Sequence, residues 1–130
     1  MKPHYIVTLA MLAGVALGAI AVQALHAQTK PPVYYVAEVD VTDLDGYLKD
    51  YAPKAAASSK ASGGQTLAAG QEITQIEGAP PKRRVVIVKW ESLEQLQTWR
   101  NSEQYKEDRK IGDKYATTIR AFAVEGLPQN

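Results

Sequence analysis

A glycine-rich stretch at 61–72, ASGGQTLAAGQE, is a candidate phosphate-binding loop, because closely spaced glycines can cradle a phosphate group. A phosphate-binding P-loop needs G-x-x-x-x-G-K-[ST] between a strand and a helix. Here the spacing from Gly64 to Gly70 is one residue too long, and Gln-Glu replaces the lysine and hydroxyl pair. The stretch therefore predicts a helix end followed by a bent strand, with Gly63 or Gly64 at positive φ and a break in strand pairing at Gly70.

Metal and nucleophile chemistry lack the side chains they need. The chain has no cysteine, and its two histidines, His4 and His26, lie in an N-terminal segment of separate character. Only carboxylates could then hold a metal, and DVTDLDG at 40–46 has neither the spacing nor the closing glutamate of a calcium loop. The serines have no histidine to activate them. We therefore expect no metal and no cofactor.

A set of aromatic and polar residues remains as the candidate ligand-binding site. Tyrosine and tryptophan combine an apolar ring with one polar atom, which suits either a small-molecule pocket or a half-buried core. Arg109 could pair with a carboxylate of the ligand, or form a structural ion pair with Glu77 or Glu107. Without a strong base in the set, we expect binding or proton transfer at most. The candidates are Tyr47, Tyr51, Glu77, Arg84, Trp99, Tyr105 and Arg109.

The first 27 residues have the pattern of a secretory signal peptide. Lys2 precedes an uncharged run rich in alanine, valine and leucine, and small residues before Ala27 suit cleavage there. The alternative is an uncleaved membrane anchor, because the apolar run is just long enough to span a bilayer. We expect a periplasmic or secreted protein, anchored to the membrane only if 1–27 is retained, with a linker at 28–32, one domain at 33–126 and a tail at 127–130.

The mature chain is electrically neutral. Of the 15 basic and 14 acidic residues, only Lys2 lies in the first 27, so 14 of each remain. A neutral chain has no net attraction for nucleic acid or for an anionic membrane, and neither is expected as a partner. Since no disulfide can form, a buried core must stabilise the domain, with help from a second subunit.

Hydrophobic periodicity supplies the elements that must position the candidate residues. They are a strand at 33–41, a helix at 42–64 interrupted near Pro53, a strand at 65–78 bent near Gly70, a strand at 83–90, a helix from Ser92 continuing to 110, and a strand at 116–126. This order predicts an α+β, ferredoxin-like β-α-β-β-α-β fold, with a four-stranded antiparallel sheet and both helices on one face.

The strand at 83–90, RRVVIVKW, is apolar on both faces, although helices can cover only one of them. A second copy of the chain is the simplest cover for the other face, because a symmetric interface needs only one self-complementary patch. The sequence therefore predicts a homodimer.

Several stretches together resemble the bacterial domain-of-unknown-function family 1330, of the dimeric α/β-barrel group. The similarity runs from Tyr34 to Gly126 through VYYVAEVDVTDLDGYLKDYAPKAAAS, GG, IEG, RRVVIVKWESLEQLQTW and NSEQYKEDRK, with W-x-x-S-x-x-Y-x-x-x-R at 99–109 as its most specific block. Trp90 departs from the aliphatic or phenylalanine residue more usual there, and the signal sequence is an addition. The resemblance implies a ferredoxin-like protomer that pairs into a dimeric α/β barrel, and implies no activity.

Two function classes stay open at this stage. One is an exported, dimeric protein that binds a small apolar or aromatic molecule, or serves as an accessory module without established catalysis. The other is a cofactor-independent monooxygenase- or isomerase-like enzyme acting on a small aromatic substrate, since relatives in the wider α/β-barrel group include such enzymes.

Overall fold

The computed structural model describes residues 30–129, and residues 31–127 form one folded unit. The predicted signal peptide lies outside the described residues. Within 30–129, no helix has the length and apolar character needed to cross a membrane.

Four antiparallel strands form a single sheet in the order β2-β3-β1-β4. Strand β1 is an inner strand that pairs with β3 and β4. Its alternating pattern buries every second side chain against the helices. The strands are β1 (Val33–Val41), β2 (Gln65–Gly70), β3 (Arg84–Trp90) and β4 (Ala116–Glu125). The predicted ferredoxin-like α+β architecture is confirmed.

Three helical segments pack on one face of this sheet. Segment α1 covers 44–61 and consists of an α-helical turn Leu44–Gly46, a π-helical turn Tyr47–Tyr51 and an α-helix Ala52–Ala61. Helix α2 is Leu93–Asn101 and helix α3 is Glu103–Gly112. Their buried side chains meet those of β1 and β3 in one core, in which Val41 and Trp90 are the largest fully buried residues among those described.

The π-helical turn of α1 is the device that aims its tyrosines at the sheet. Pro53 has no amide proton, and just before it the amide of Ala52 donates to the carbonyl of Tyr47, one residue further back than in an α-helix. The expected interruption near Pro53 is therefore a π turn followed by a fresh α-helix. Leu48, between the two tyrosines, faces outward and is 38% exposed.

The glycine stretch ends α1 and begins β2. Gly63 has φ +102°, the left-handed conformation that closes a helix, and an added Cβ there would overlap the side chain of Gln95. The irregularity in pairing with β3 falls between Thr66 and Ala68, so the expected break at Gly70 was wrong in position, and Gly70 is the last residue of β2. The connection 71–83 then crosses to β3 without regular structure.

Ser102 divides the second helical region into two helices. Its backbone is extended (φ −68°, ψ 150°), and its hydroxyl accepts a hydrogen bond from the amide of Tyr105 and donates one to the carbonyl of Trp99. A single serine therefore ends α2 and starts α3. This change of direction brings Trp99 and Tyr105 together, with ring centroids 4.7 Å apart in an edge-to-face contact.

Candidate functional site

A cavity of about 100 Å³ lies between the sheet and the helices. Its floor is made by inward-facing residues of β1 and β3, and its walls by α1, α2 and α3. Alanines on α1 contribute little side-chain volume, which is why the space stays open where larger residues would fill it. The lining residues are Tyr35, Ala37, Val39, Tyr47, Tyr51, Ala52, Ala55, Ala56, Ser59, Thr66, Ala69, Arg84, Val86, Val88, Trp99, Tyr105, Arg109, Gly112, Ala116 and Thr118.

Aromatic rings enclose the cavity on two sides. On one side Tyr47 and Tyr51 of α1 stand edge to face, with ring centroids 5.1 Å apart. On the other, Trp99 contacts Tyr35 and Tyr105 at centroid distances of 6.1 and 4.7 Å. Edge-to-face contacts of this kind hold rings in fixed orientations, so the walls are preorganised for a flat apolar molecule.

Arg84, the first residue of β3, is a buried cation at the cavity. Only 7% of its surface is exposed, and its guanidinium lies over the ring of Tyr47, 5.3 Å from the centroid. Its Nη1 donates to Oε1 of Gln71 at 2.9 Å, whereas its buried Nε has no hydrogen-bond partner among the described residues. The structure thus places a partly unsatisfied positive charge beside an apolar space.

Arg109 of α3 is a second cavity-lining cation, but its charge is matched. Its Nε donates to Oδ1 of Asp113 at 2.7 Å, so neither Glu77 nor Glu107 is its partner. Glu107 pairs instead with Lys110. Partial burial acts to lower the pKa of Arg109, but its hydrogen bond to Asp113 and the neighbouring Tyr105 outweigh that effect and leave the pKa above its usual value.

Arg100 positions two of the aromatic walls from outside the cavity. Its Nη1 donates to the hydroxyl oxygens of Tyr35 (3.0 Å) and Tyr105 (2.6 Å), and its guanidinium lies over both rings. Neither Tyr35 nor Arg100 was among the residues predicted for the site. The sequence did contain a signal for Tyr35, because period-two alternation puts it on the apolar face of the first strand. Nothing in the sequence indicates that the guanidinium of Arg100 reaches two phenols.

Burial raises the pKa of three tyrosines that line the cavity, Tyr35, Tyr47 and Tyr51. Loss of water raises the pKa of Tyr51 well above its ordinary value, and the nearby Tyr105 and Tyr47 add to the rise. Burial likewise raises the pKa of Tyr35 and Tyr47, against the opposing effects of Arg100 and Arg84. At neutral pH these side chains are therefore hydrogen-bonding phenols, not bases.

Six of the seven candidate residues meet at this cavity. Tyr47 and Tyr51 of α1, Arg84 of β3 and three residues of α2 and α3 line it, although Tyr51 and Arg84 are 33 positions apart in the sequence. Glu77 does not take part, because it lies exposed in the connection 71–83. The lining contains no carboxylate. Across residues 30–129, histidine, cysteine and acidic side chains form no group of three that could hold a metal ion.

The sheet order, the helices on one face and the cavity between them define an α+β protein of ferredoxin-like fold with a helix-side pocket. By sequence, residues 32–127 match the model of a family described as a domain of unknown function, DUF1330, and the chain belongs to that family. The resemblance drawn from the sequence is thus confirmed.

Two solved structures show the same fold. One is a methylated form of a protein called RPA0582, with 16% sequence identity, a TM-score of 0.55, and coverage of 86% of this chain and 91% of the other. The second is RPA0582, a protein of unknown function from Rhodopseudomonas palustris, with 16% identity, a TM-score of 0.51, and coverage of 86% and 93%. No curated protein matches the sequence significantly.

Proposed function

We propose that this protein is an exported homodimer that binds a small aromatic or apolar molecule in the helix-side cavity. The observation that carries the proposal is the cavity itself, with alanine and valine surfaces, fixed aromatic rings and two guanidinium groups at one space. Its volume of about 100 Å³ is comparable to that of an engineered apolar cavity of roughly 150 Å³ that binds benzene, so a single-ring molecule is the size class.

The binding proposal is tested with neutral probes and a matched pair of variants. Phenol should quench or shift the fluorescence of Trp99, which lines the cavity, and both phenol and indole should raise the melting temperature. Ala55→Leu places extra methyl groups in the cavity and should abolish the effect, whereas Ala57→Leu, on the exposed side of the same helix, should leave it unchanged. Equal binding by both variants would show that the probes bind elsewhere.

The homodimer part of the proposal rests on the opposite face of the sheet. Ala68, Ile87, Val36 and Phe122 lie side by side across all four strands, and Phe122 remains 51% exposed in the protomer. An apolar row of this length on the solvent side supports burial against a second copy. Sedimentation of the purified mature chain at micromolar concentration tests it, and a monomer would contradict it.

Export is proposed from the signal-peptide pattern of 1–27. Intact-mass measurement of the protein recovered from the periplasm or medium should show loss of these residues. Retention of 1–27 in a membrane fraction would support the anchored alternative.

A cofactor-independent monooxygenase or isomerase is the second candidate function. It is favoured by Tyr51, whose protonated phenol lies at the same cavity as the cationic Arg109 and could stabilise negative charge on a substrate oxygen. The test is a screen with activated phenolic substrates, in which Tyr51→Phe or Arg109→Ala should remove turnover. Absence of turnover by the unmodified protein would reject the enzyme and leave the binding function in place.

A further inference from the structure

Arg84 is the cavity-lining charge that has no opposite charge within reach among the described residues. It forms no salt bridge there, its contacts are the neutral side chains of Gln71 and Tyr47, and its Nε is buried without a hydrogen-bond acceptor. Taking a guanidinium out of water is costly unless an anion is supplied. The side chain amide and the ring offer dipoles but no counter-charge, so the site is incomplete in electrostatic terms.

The charges of the lining residues indicate the charge of the missing partner. Arg109 is already neutralised by Asp113, with 2.7 Å between Nε and Oδ1. The lining has no acidic residue, so the guanidinium of Arg84 leaves one net positive charge. A monoanion balances this charge, whereas a dianion such as a phosphate ester would leave one negative charge buried.

The surroundings of Arg84 fix the shape of the partner. A planar guanidinium matches the two oxygens of a carboxylate through paired hydrogen bonds. Next to it, Ala37, Val39 and Val86 offer only apolar surface, and the ring of Tyr51 closes the space. A free inorganic anion would leave this apolar surface without a partner, whereas an aromatic ring would cover it.

We infer that the cavity binds a small aromatic carboxylate, whose carboxylate pairs with Arg84 and whose ring packs between α1 and the sheet. The inference rests on the proposed binding function and adds the ligand class. Arg84 then acts as the specificity-determining residue, and the protonated phenol of Tyr51 is available as a second donor.

The test compares acids with their neutral counterparts on the intact protein. Benzoate, phenylacetate and 4-hydroxybenzoate are titrated by calorimetry alongside the primary amide of each, with inorganic phosphate as the anion that has no apolar body. The acids should bind about 10- to 100-fold more tightly than the amides, as expected for one charged hydrogen-bonded contact, and phosphate should not bind.

Two variants that each remove one arginine charge show whether Arg84 is responsible for the tighter binding of the acids. Arg84→Gln should weaken benzoate about 10- to 100-fold without weakening benzamide, whereas Arg83→Gln, at an exposed neighbour outside the cavity, should change neither. Arg84→Lys keeps the charge without the planar pair of donors, so its affinity for benzoate should lie between those of the unmodified protein and Arg84→Gln. Circular dichroism of each variant shows whether the fold is kept, and the acid and amide comparison on the unmodified protein needs no variant.

The outcomes separate this inference from the binding function. Amides that bind as tightly as the acids would overturn the carboxylate assignment and leave small-molecule binding standing. Failure of all three acids to bind would overturn it as well. The binding function is tested separately, by phenol and indole with the Ala55→Leu and Ala57→Leu variants. Tight phosphate binding would replace the aromatic carboxylate with an inorganic anion.

Discussion

The two faces of the sheet differ in what their side chains are able to recognise. The helix-side face surrounds an irregular cavity with tyrosines, a tryptophan and a buried arginine, so a largely apolar space has a positive charge in its wall. The open face carries the flat row of Ala68, Ile87, Val36 and Phe122, and one level along it Glu38 and Arg120 form an ion pair at 2.8 Å.

The two interactions proposed above therefore fall on opposite faces of one sheet. A concave space with fixed polar groups selects a small molecule by shape and charge. A flat apolar row with a charged margin fits a large, self-complementary surface instead. Because strand side chains alternate, each strand contributes to both, and changes on one face should leave the other nearly untouched.

The largest expected effect is on the open face. Phe122→Lys places a charge in the middle of the apolar row, where pairing with a second copy would bury it, so we expect conversion of the dimer to a monomer in analytical ultracentrifugation. Gln97→Lys, on the exposed side of α2, adds the same charge and should leave the dimer intact. A Phe122→Lys protein that remains dimeric would remove the open face as the interface.

A substitution at the cavity wall should lower stability without changing the oligomeric state. An added Cβ at Gly112 would lie 2.9 Å from ring atoms of Tyr51, so Gly112→Ala should lower the free energy of unfolding by about 1–3 kcal/mol in urea denaturation. Gly70→Ala meets no atom within 4 Å and should change it by less than about 0.5 kcal/mol. Equal effects of the two changes would mean that the ring of Tyr51 is not held against α3.

High pH should weaken the helix-side face. Burial raises the pKa of Tyr51, so the unfolded chain, with a tyrosine pKa of about 10, ionises first. The free energy of unfolding should therefore be nearly constant from pH 6 to 9 and fall above pH 10, by up to about 1.4 kcal/mol per pH unit for each such tyrosine.

In Tyr51→Phe the fall above pH 10 should be shallower than in the unmodified protein, with both measured by urea denaturation. Parallel curves would contradict a protonated, buried Tyr51.

The smallest expected effect concerns the serine that sets the angle between α2 and α3. Ser102→Ala removes the hydroxyl that accepts from the amide of Tyr105, and should cost about 1 kcal/mol of unfolding free energy. Ser102→Asp should recover most of it, because aspartate caps a helix equally well. If the alanine variant matches the unmodified protein, the cap does not position Tyr105.

Much of the fold could be predicted because it follows from local patterns. The alternation at 33–41, the β-branched run ending at Trp90 and the glycine at 63 each dictate a conformation by their own chemistry. The order of these elements left one simple topology. The π turn was missed because a proline, which lacks an amide proton, predicts only an interruption of the helix. The form of that interruption depends on packing against α3, where the ring of Tyr51 lies beside Gly112.

The sequence could predict most of the residues that line the site, but not how their charges are buried and paired. Tyrosine and tryptophan at helical spacing indicate an inward face, which explains why Tyr47, Tyr51 and Trp99 line the cavity. Sequence could not show that Arg84 is buried without a carboxylate or that Arg109 pairs with Asp113, because both depend on which side chains meet across separate elements. Glu77 was included for its charge, and it lies exposed in the connection 71–83 and does not line the cavity.

The most direct test of the central claim, that the helix-side cavity is the ligand site, is a crystal structure of the protein with benzoate. We predict the ring between α1 and the sheet, against Tyr51, and a carboxylate oxygen at about 2.7–3.2 Å from the guanidinium of Arg84. Benzoate bound on the open face, or a cavity that holds only water at saturating benzoate, would contradict it.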